Sequence, residues 1–183
     1  AAGGGHLECL KYLIVHCAMD PQCEQQRGRR GYAGRTVLHW AARNGHLECV
    51  RYLLEVCKMA VDVPSEDGTT PFHLAVWQNH IGVCQYLVQH GASPELCNSY
   101  GCNAVLWAGQ GPFVGVEMME LLSKLHVDFN IFNENGQGVL HKAAQRGKLD
   151  VCQWLMKANK LGSGVHLCKH FLPTKTEEST PSE

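Results

Sequence analysis

The chain has 183 residues, with 16 basic residues against 17 acidic ones and a pI near 6.9. That balance excludes a strongly basic nucleic-acid binder and an acidic tail protein. An apolar content of 45% excludes disorder throughout, and the longest apolar runs, such as Leu13-Ile14-Val15, are too short to span a membrane.

In chain order, the stretch from Leu10 to Met19 has the apolar character of a signal-peptide core. Glu8, Lys11 and His16 interrupt it and no basic leader precedes it, so no targeting segment is expected. Residues 5–9 and 45–49 both read Gly-His-Leu-Glu-Cys, each followed by a Tyr-Leu pair. A second series runs Thr36-Val37-Leu38-His39, Thr70-Pro71-Phe72-His73, Asn103-Ala104-Val105-Leu106 and Gly138-Val139-Leu140-His141. A glycine stands two places before each, at Gly34, Gly68, Gly101 and Gly136. A fixed period near 33 marks a repeat architecture.

Each unit reads as two short helices. In the third, Thr70 suits an N-cap and Pro71 the first helical position. Phe72, Ala75 and Val76 share one face, and Asn79 falls where Gly45 and Gly147 fall in sibling units, at the left-handed turn that ends a helix. A second helix follows with Val83, Cys84, Tyr86 and Leu87 on its apolar side, and Gly91 stops it. Two helices of about ten residues cannot bury their apolar faces alone. Stacked on identical neighbours they can, with Ala41-Ala42, Ala75 and Ala143-Ala144 allowing close approach.

The motifs Asp67-Gly68-Thr69-Thr70-Pro71-Phe72-His73-Leu74-Ala75 and Thr36-Val37-Leu38-His39-Trp40-Ala41-Ala42-Arg43-Asn44-Gly45-His46 resemble the ankyrin repeat signature. The resemblance implies an all-α solenoid of helix-turn-helix units joined by β-hairpin-like loops. It covers residues 1–158: a partial first repeat, then 34–67, 68–100, 101–135 and 136–158. Residues 159–183 form a C-terminal extension, expected to be disordered from about residue 173. Ala1-Ala2 match Ala41-Ala42, so the first unit lacks its first helix and missing upstream sequence is expected. The fourth unit departs from the pattern, with Leu106 at the His place and two extra residues in Gly109-Gln110-Gly111-Pro112; distortion is expected there. The hairpin before Gly68 looks short, and the segment from Asp20 to Gly34 looks long.

Candidate chemistry is sparse. His39, His73 and His141 occupy one repeat position, which in the family bonds the Thr at the helix start and neighbouring backbone; Gly138 offers no hydroxyl, so His141 needs another partner. Of ten cysteines none forms a C-x-x-C pair. Cys9, Cys49, Cys84 and Cys152 share one position with Met118, which marks a core slot for a soft apolar side chain. Stacked helices stand about 8–10 Å apart, too far for neighbours in this row to form disulfides, and reduced thiols fit an intracellular protein, cytoplasmic or nuclear. His166-Leu167-Cys168-Lys169-His170 resembles half a zinc site but has no second ligand pair, so it is read as packing. Gly109–Gly115 is no phosphate cradle. No metal, cofactor or catalytic set is expected.

The resemblance implies a non-catalytic protein–protein interaction module whose partner lies along a concave face of hairpin tips and first helices. By repeat position this face carries Arg43 and Asn44, Trp77 and Gln78, Gln110, and Gln145 and Arg146 on the helices. The tips carry Glu66 and Asp67, Ser99 and Tyr100, and Glu134 and Asn135. Trp40 and Trp107 are expected between first helices. The partner is another protein and the chain is read as a monomer. Nucleic acid is not the expected partner; the alternatives are weak RNA or phosphate binding through Arg27–Arg30, or an accessory region of a larger enzyme.

Overall fold

A computed structural model describes residues 1–22, 34–158 and 160. Among the described residues every regular element is helical. A 3-10 turn, Ala2–Gly4, precedes α1 (Leu7–Val15); four helix pairs follow. They are α2 (Val37–Arg43) with α3 (Leu47–Glu55), α4 (Pro71–Trp77) with α5 (Ile81–Gln89), α6 (Ala104–Gln110) with α7 (Val116–Lys124), and α8 (Val139–Gln145) with α9 (Leu149–Lys157). The first helices α2, α4, α6 and α8 pack side by side in one layer, and the second helices form the other. This is the stacked solenoid expected.

Local chemistry sets the register. The phased glycines Gly34, Gly68, Gly101 and Gly136 all have positive φ, between 68° and 75°, so each starts a unit from a turn that a side chain would strain. Asn79 takes the same backbone region, φ 65°, as Gly45 and Gly147. The turn ahead of α4 is not short: Ser65 N–H donates to Thr69 O, just as Asn98 does to Cys102 O and Asn133 to Gln137 O.

Between the layers lie Leu38, Leu53, Phe72, Leu87, Leu106, Met118, Leu122 and Leu155, all fully buried. The cysteine slot behaves as a core position only in the middle of the stack. Cys49, Cys84 and Met118 are buried, whereas Cys152 is half-buried and Cys9 is exposed. The cause is position: α1 and α9 each have one neighbouring second helix, so nothing in the described chain covers their outer sides.

The units are pinned to one another through backbone carbonyls. His46 Nε2–H donates to Gly3 O at 3.0 Å, His80 Nε2–H to Arg43 O at 3.0 Å, and Lys148 Nζ to Ala108 O at 3.1 Å. Burial lowers the Lys148 pKa to about 8. The fourth unit has no such pin, because the N-cap of α7 is Gly115, which has no side chain; here Gly111 lies directly against Trp77. A Cβ at Gly111 would stand 2.4 Å from Trp77 O. The first-helix layer remains tight through this unit, but α5 and α7 stand further apart than other neighbouring second helices, which is the distortion expected. Gly111→Ala is expected to cost about 2–3 kcal/mol through overpacking against an unyielding carbonyl. Gly82→Ala, with nothing within 4 Å of the new Cβ, is expected to stabilise by about 0.5 kcal/mol. Melting curves of the two variants check the opposed signs.

Candidate binding groove

The repeated histidine ties the start of its helix to a following turn, in two complete copies and one partial; the His39 copy links two units. Thr36 N–H donates to His39 Nδ1 at 3.1 Å, which leaves Nε2–H to donate to Thr69 O at 2.9 Å in the next turn. His73 likewise accepts from Thr70 N–H at 3.1 Å, but its Nε2–H donates to Leu96 O at 2.9 Å within its own unit. Burial lowers both pKa values to about 4, against the bonds to Thr69 O and Leu96 O and the charge of Asp67, so both rings are neutral at pH 7. His141 finds its partner in the backbone of the residue that lacks a hydroxyl: Gly138 N–H reaches Nδ1 at 3.4 Å.

In the fourth unit one residue replaces the Thr–His pair. Asn103 Oδ1 accepts from Val105 N–H at 3.1 Å and Leu106 N–H at 3.2 Å, capping α6, while Nδ2 donates to Asp128 O at 2.9 Å. Leu106 is thereby free to be core.

Along the outer side of the first helices runs an aromatic–cation series. The Arg43 Cζ lies 5.5 Å from the Trp40 ring centroid and 5.5 Å from that of Trp77. Arg35 Cζ lies 5.9 Å from Trp40 on the same series. Trp77 meets Trp107 edge to face at 6.3 Å, and Trp107 lies 5.9 Å from the His73 ring. Trp40 and Arg43 are three places apart on α2 and Arg35 just precedes it, while Trp77 and Trp107 come from α4 and α6, so the stacking of units brings these later indoles into the series.

The turns form a second row beside this series. Asp67 O accepts from Ser99 N–H at 2.9 Å and Ser99 Oγ at 2.6 Å, and Tyr100 O accepts from Glu134 N–H at 3.2 Å. Between turns and helices lies a groove of about 280 Å³. Five of the residues expected at the partner face line it: Asp67, Trp77, Tyr100, Gln110 and Asn135. Trp107, which packs between first helices as expected, is also part of its floor, and Asn98, Cys102, Asn133 and Lys142 complete the lining.

Sequence reasoning passed over these last residues, although a signal existed: Trp107 and Lys142 share the repeat position of Trp40, and Asn98 and Asn133 share that of Ser65. The remaining expected residues lie elsewhere. Arg43 is half-buried between its two indoles, and Asn44 Nδ2 donates to Gly3 O at 2.6 Å. Gln78 is half-buried at the end of α4; Glu66, Ser99, Glu134, Gln145 and Arg146 are exposed outside the groove.

The groove's charges are Asp67 at one side and Lys142 at the other. Burial pushes the Asp67 carboxyl up, but bonds from Ser65 and Thr69 and the charge of Arg35 outweigh it and hold the pKa below the ordinary value. Lys142 Nζ donates to Gln137 Oε1 at 2.8 Å. Burial raises the Cys102 thiol, so it is a poor nucleophile at neutral pH. Among the described residues no group of three or more His, Cys, Asp or Glu is placed to hold a metal ion, and no helix is long and apolar enough to cross a membrane. Arg27–Arg30 and His166–His170 lie outside the described residues.

Comparison with known proteins follows the same repeats. A family model described as ankyrin repeats in three copies matches residues 1–98, and one described as ankyrin repeats in many copies matches residues 115–156. Neurogenic locus notch homolog protein 1 of Xenopus tropicalis is 32% identical over 141 residues, covering 75% of this chain and 5% of that protein. The nuclear factor NF-kappa-B p105 subunit of Gallus gallus is 33% identical over 92 residues, 50% of this chain and 9% of its own. Palmitoyltransferase ZDHHC17 of Homo sapiens is 30% identical over 70 residues, 38% of this chain and 11% of its own. The chain therefore matches only a small part of each relative's length.

Proposed function

The chain belongs to the ankyrin-repeat family, whose repeats are in general protein–protein interaction modules and typically non-catalytic; from that premise we propose that it presents the Trp77–Trp107 groove and its flanking turns to a partner protein. The observation that carries this reading is the groove itself. Two indoles and a phenol are gathered on an accessible face beside exposed polar turns. Trp, Tyr and Arg are the residue types that most often dominate interface energy. In family geometry this is the concave side.

The partner is a protein rather than nucleic acid, since basic and acidic residues balance along the chain. We read the array as a monomeric scaffold without catalysis or cofactor of its own. Free thiols at the described cysteines support an intracellular site of action. We set the repeat limits at 34–67, 68–100, 101–135 and 136–158.

Affinity capture from the native cell, with wild type and Trp77→Ala as baits, tests the assignment. Trp77 is only half-buried, so the variant is expected to keep its helical content while specific capture falls about tenfold. Equal capture by a folded Trp77→Ala protein rejects this face as the interface.

A further inference from the structure

The groove's chemistry narrows the partner. We propose that it receives the side chain of an arginine from an extended partner segment, the guanidinium lying against the Trp77 and Trp107 indoles with Asp67 as counter-ion. The inference rests on the interaction reading above and adds what the interface recognises.

The molecule already holds a guanidinium against indoles one unit earlier. Arg43 sits between Trp40 and Trp77 at 5.5 Å from each ring. The next aromatic pair in the series, Trp77 with Trp107, opens onto the groove, and no described cation lies over Trp107. A planar guanidinium stacks on an indole face more readily than an ammonium does, and it is less strongly hydrated. The counter-charge is in place. Asp67 Oδ1 accepts from Ser65 Oγ at 2.7 Å and Thr69 N–H at 3.1 Å, which orients the carboxylate and leaves Oδ2 for a charge-assisted bond. Arg35 contributes charge to Asp67 as well, from a buried position, only 7% exposed, outside the groove lining.

Lys142 gives the site a direction. It is the cation of the lining and bonds to Gln137 on the side of the last unit. An arriving cation is repelled there and drawn to the Asp67 side, where exposed Glu66 adds to the field. The volume, about 280 Å³, is at the small end for a small-molecule pocket and suits one long side chain.

The test uses linear peptides displayed as a random library and selected on the whole chain. Peptides released by Trp77→Ala are resynthesised with each arginine replaced by citrulline, which keeps the shape and removes the charge. The expected result is one fixed arginine whose citrulline form binds about tenfold more weakly to wild type. On Asp67→Asn that ratio is expected to shrink to about twofold or less, and Lys142→Gln is expected to tighten the arginine peptide. Because the citrulline comparison is made on wild type, a poorly folded Asp67→Asn protein does not blunt it. Groove-binding peptides that lack arginine, or that bind equally well as citrulline forms, overturn this proposal and leave the interaction reading standing. A library that yields no peptide sensitive to Trp77→Ala overturns both.

Discussion

Moving the protein from pH 7 to pH 5 is expected to remove about 3–4 kcal/mol of folding stability through two side chains, His39 and His73. Both are essentially inaccessible, and burial brings each from the ordinary 6.5 to about 4. The folded state holds both rings neutral, because Nδ1 must accept from the Thr36 or Thr70 N–H while Nε2–H donates to a carbonyl. The unfolded chain takes up protons near pH 6.5 and the folded chain does not. Stability is therefore complete above pH 6.5, declines as the pH falls towards 4, and gains no further loss from these groups below that. Urea midpoints at pH 7, 6 and 5 measure the slope. His80, lowered in the same direction by burial, adds to it. Replacing His73 by Gln should lower stability at pH 7 yet flatten about half of the slope. A wild-type midpoint that does not move between pH 7 and pH 5 refutes the neutral-ring assignment.

Asn103→Ala is expected to cost about 2–4 kcal/mol, more than an ordinary cap residue. The side chain is fully buried and serves three partners at once: the N–H groups of Val105 and Leu106 and the carbonyl of Asp128. Truncation frees all three, and the Val105 and Leu106 N–H groups, which are buried, have no replacement in the packed interior. The more searching experiment is the double variant Asn103→Thr with Leu106→His, which writes the sibling units' solution into this one. It is expected to recover at least half of the loss, since the ring at position 106 would take the place that His73 takes in its own unit. Chemical denaturation of the single and double variants gives the comparison. A double variant no better than Asn103→Ala means that the fourth unit's geometry, and not its residue choice alone, forbids the tie.

These two results concern positions that were legible to different degrees. The histidine position could be read by aligning Thr36–His39 with Thr70–His73, because a capping residue and its partner lie three places apart. The Asn103 solution could not, since its third bond goes to Asp128, and only the fold puts that carbonyl within reach. The two extra residues at Gly109–Pro112 foretold a distorted unit, but not that Gly111 would press on Trp77 O and part α5 from α7. The cysteine row was assigned one character throughout. The ends of the stack gave Cys9 and Cys152 a different one from Cys49 and Cys84, because burial there depends on the next unit, not on the residue.

The amino-acid sequence by itself determined the repeat, its register in the phased glycines Gly34, Gly68, Gly101 and Gly136, the helix pairs and the left-handed turns at Gly45, Asn79 and Gly147. All of these follow from forces acting over a few residues: periodic burial, capping and backbone strain. Only the tertiary structure decided that Arg43 stands between Trp40 and Trp77, that Trp107 joins the groove floor, and that Asp67 and Lys142 face the same space. Apart from Trp40 and Arg43, which share α2, those meetings link side chains thirty or more positions apart on different units, and the offset between stacked helices, which no local pattern encodes, sets which of them meet.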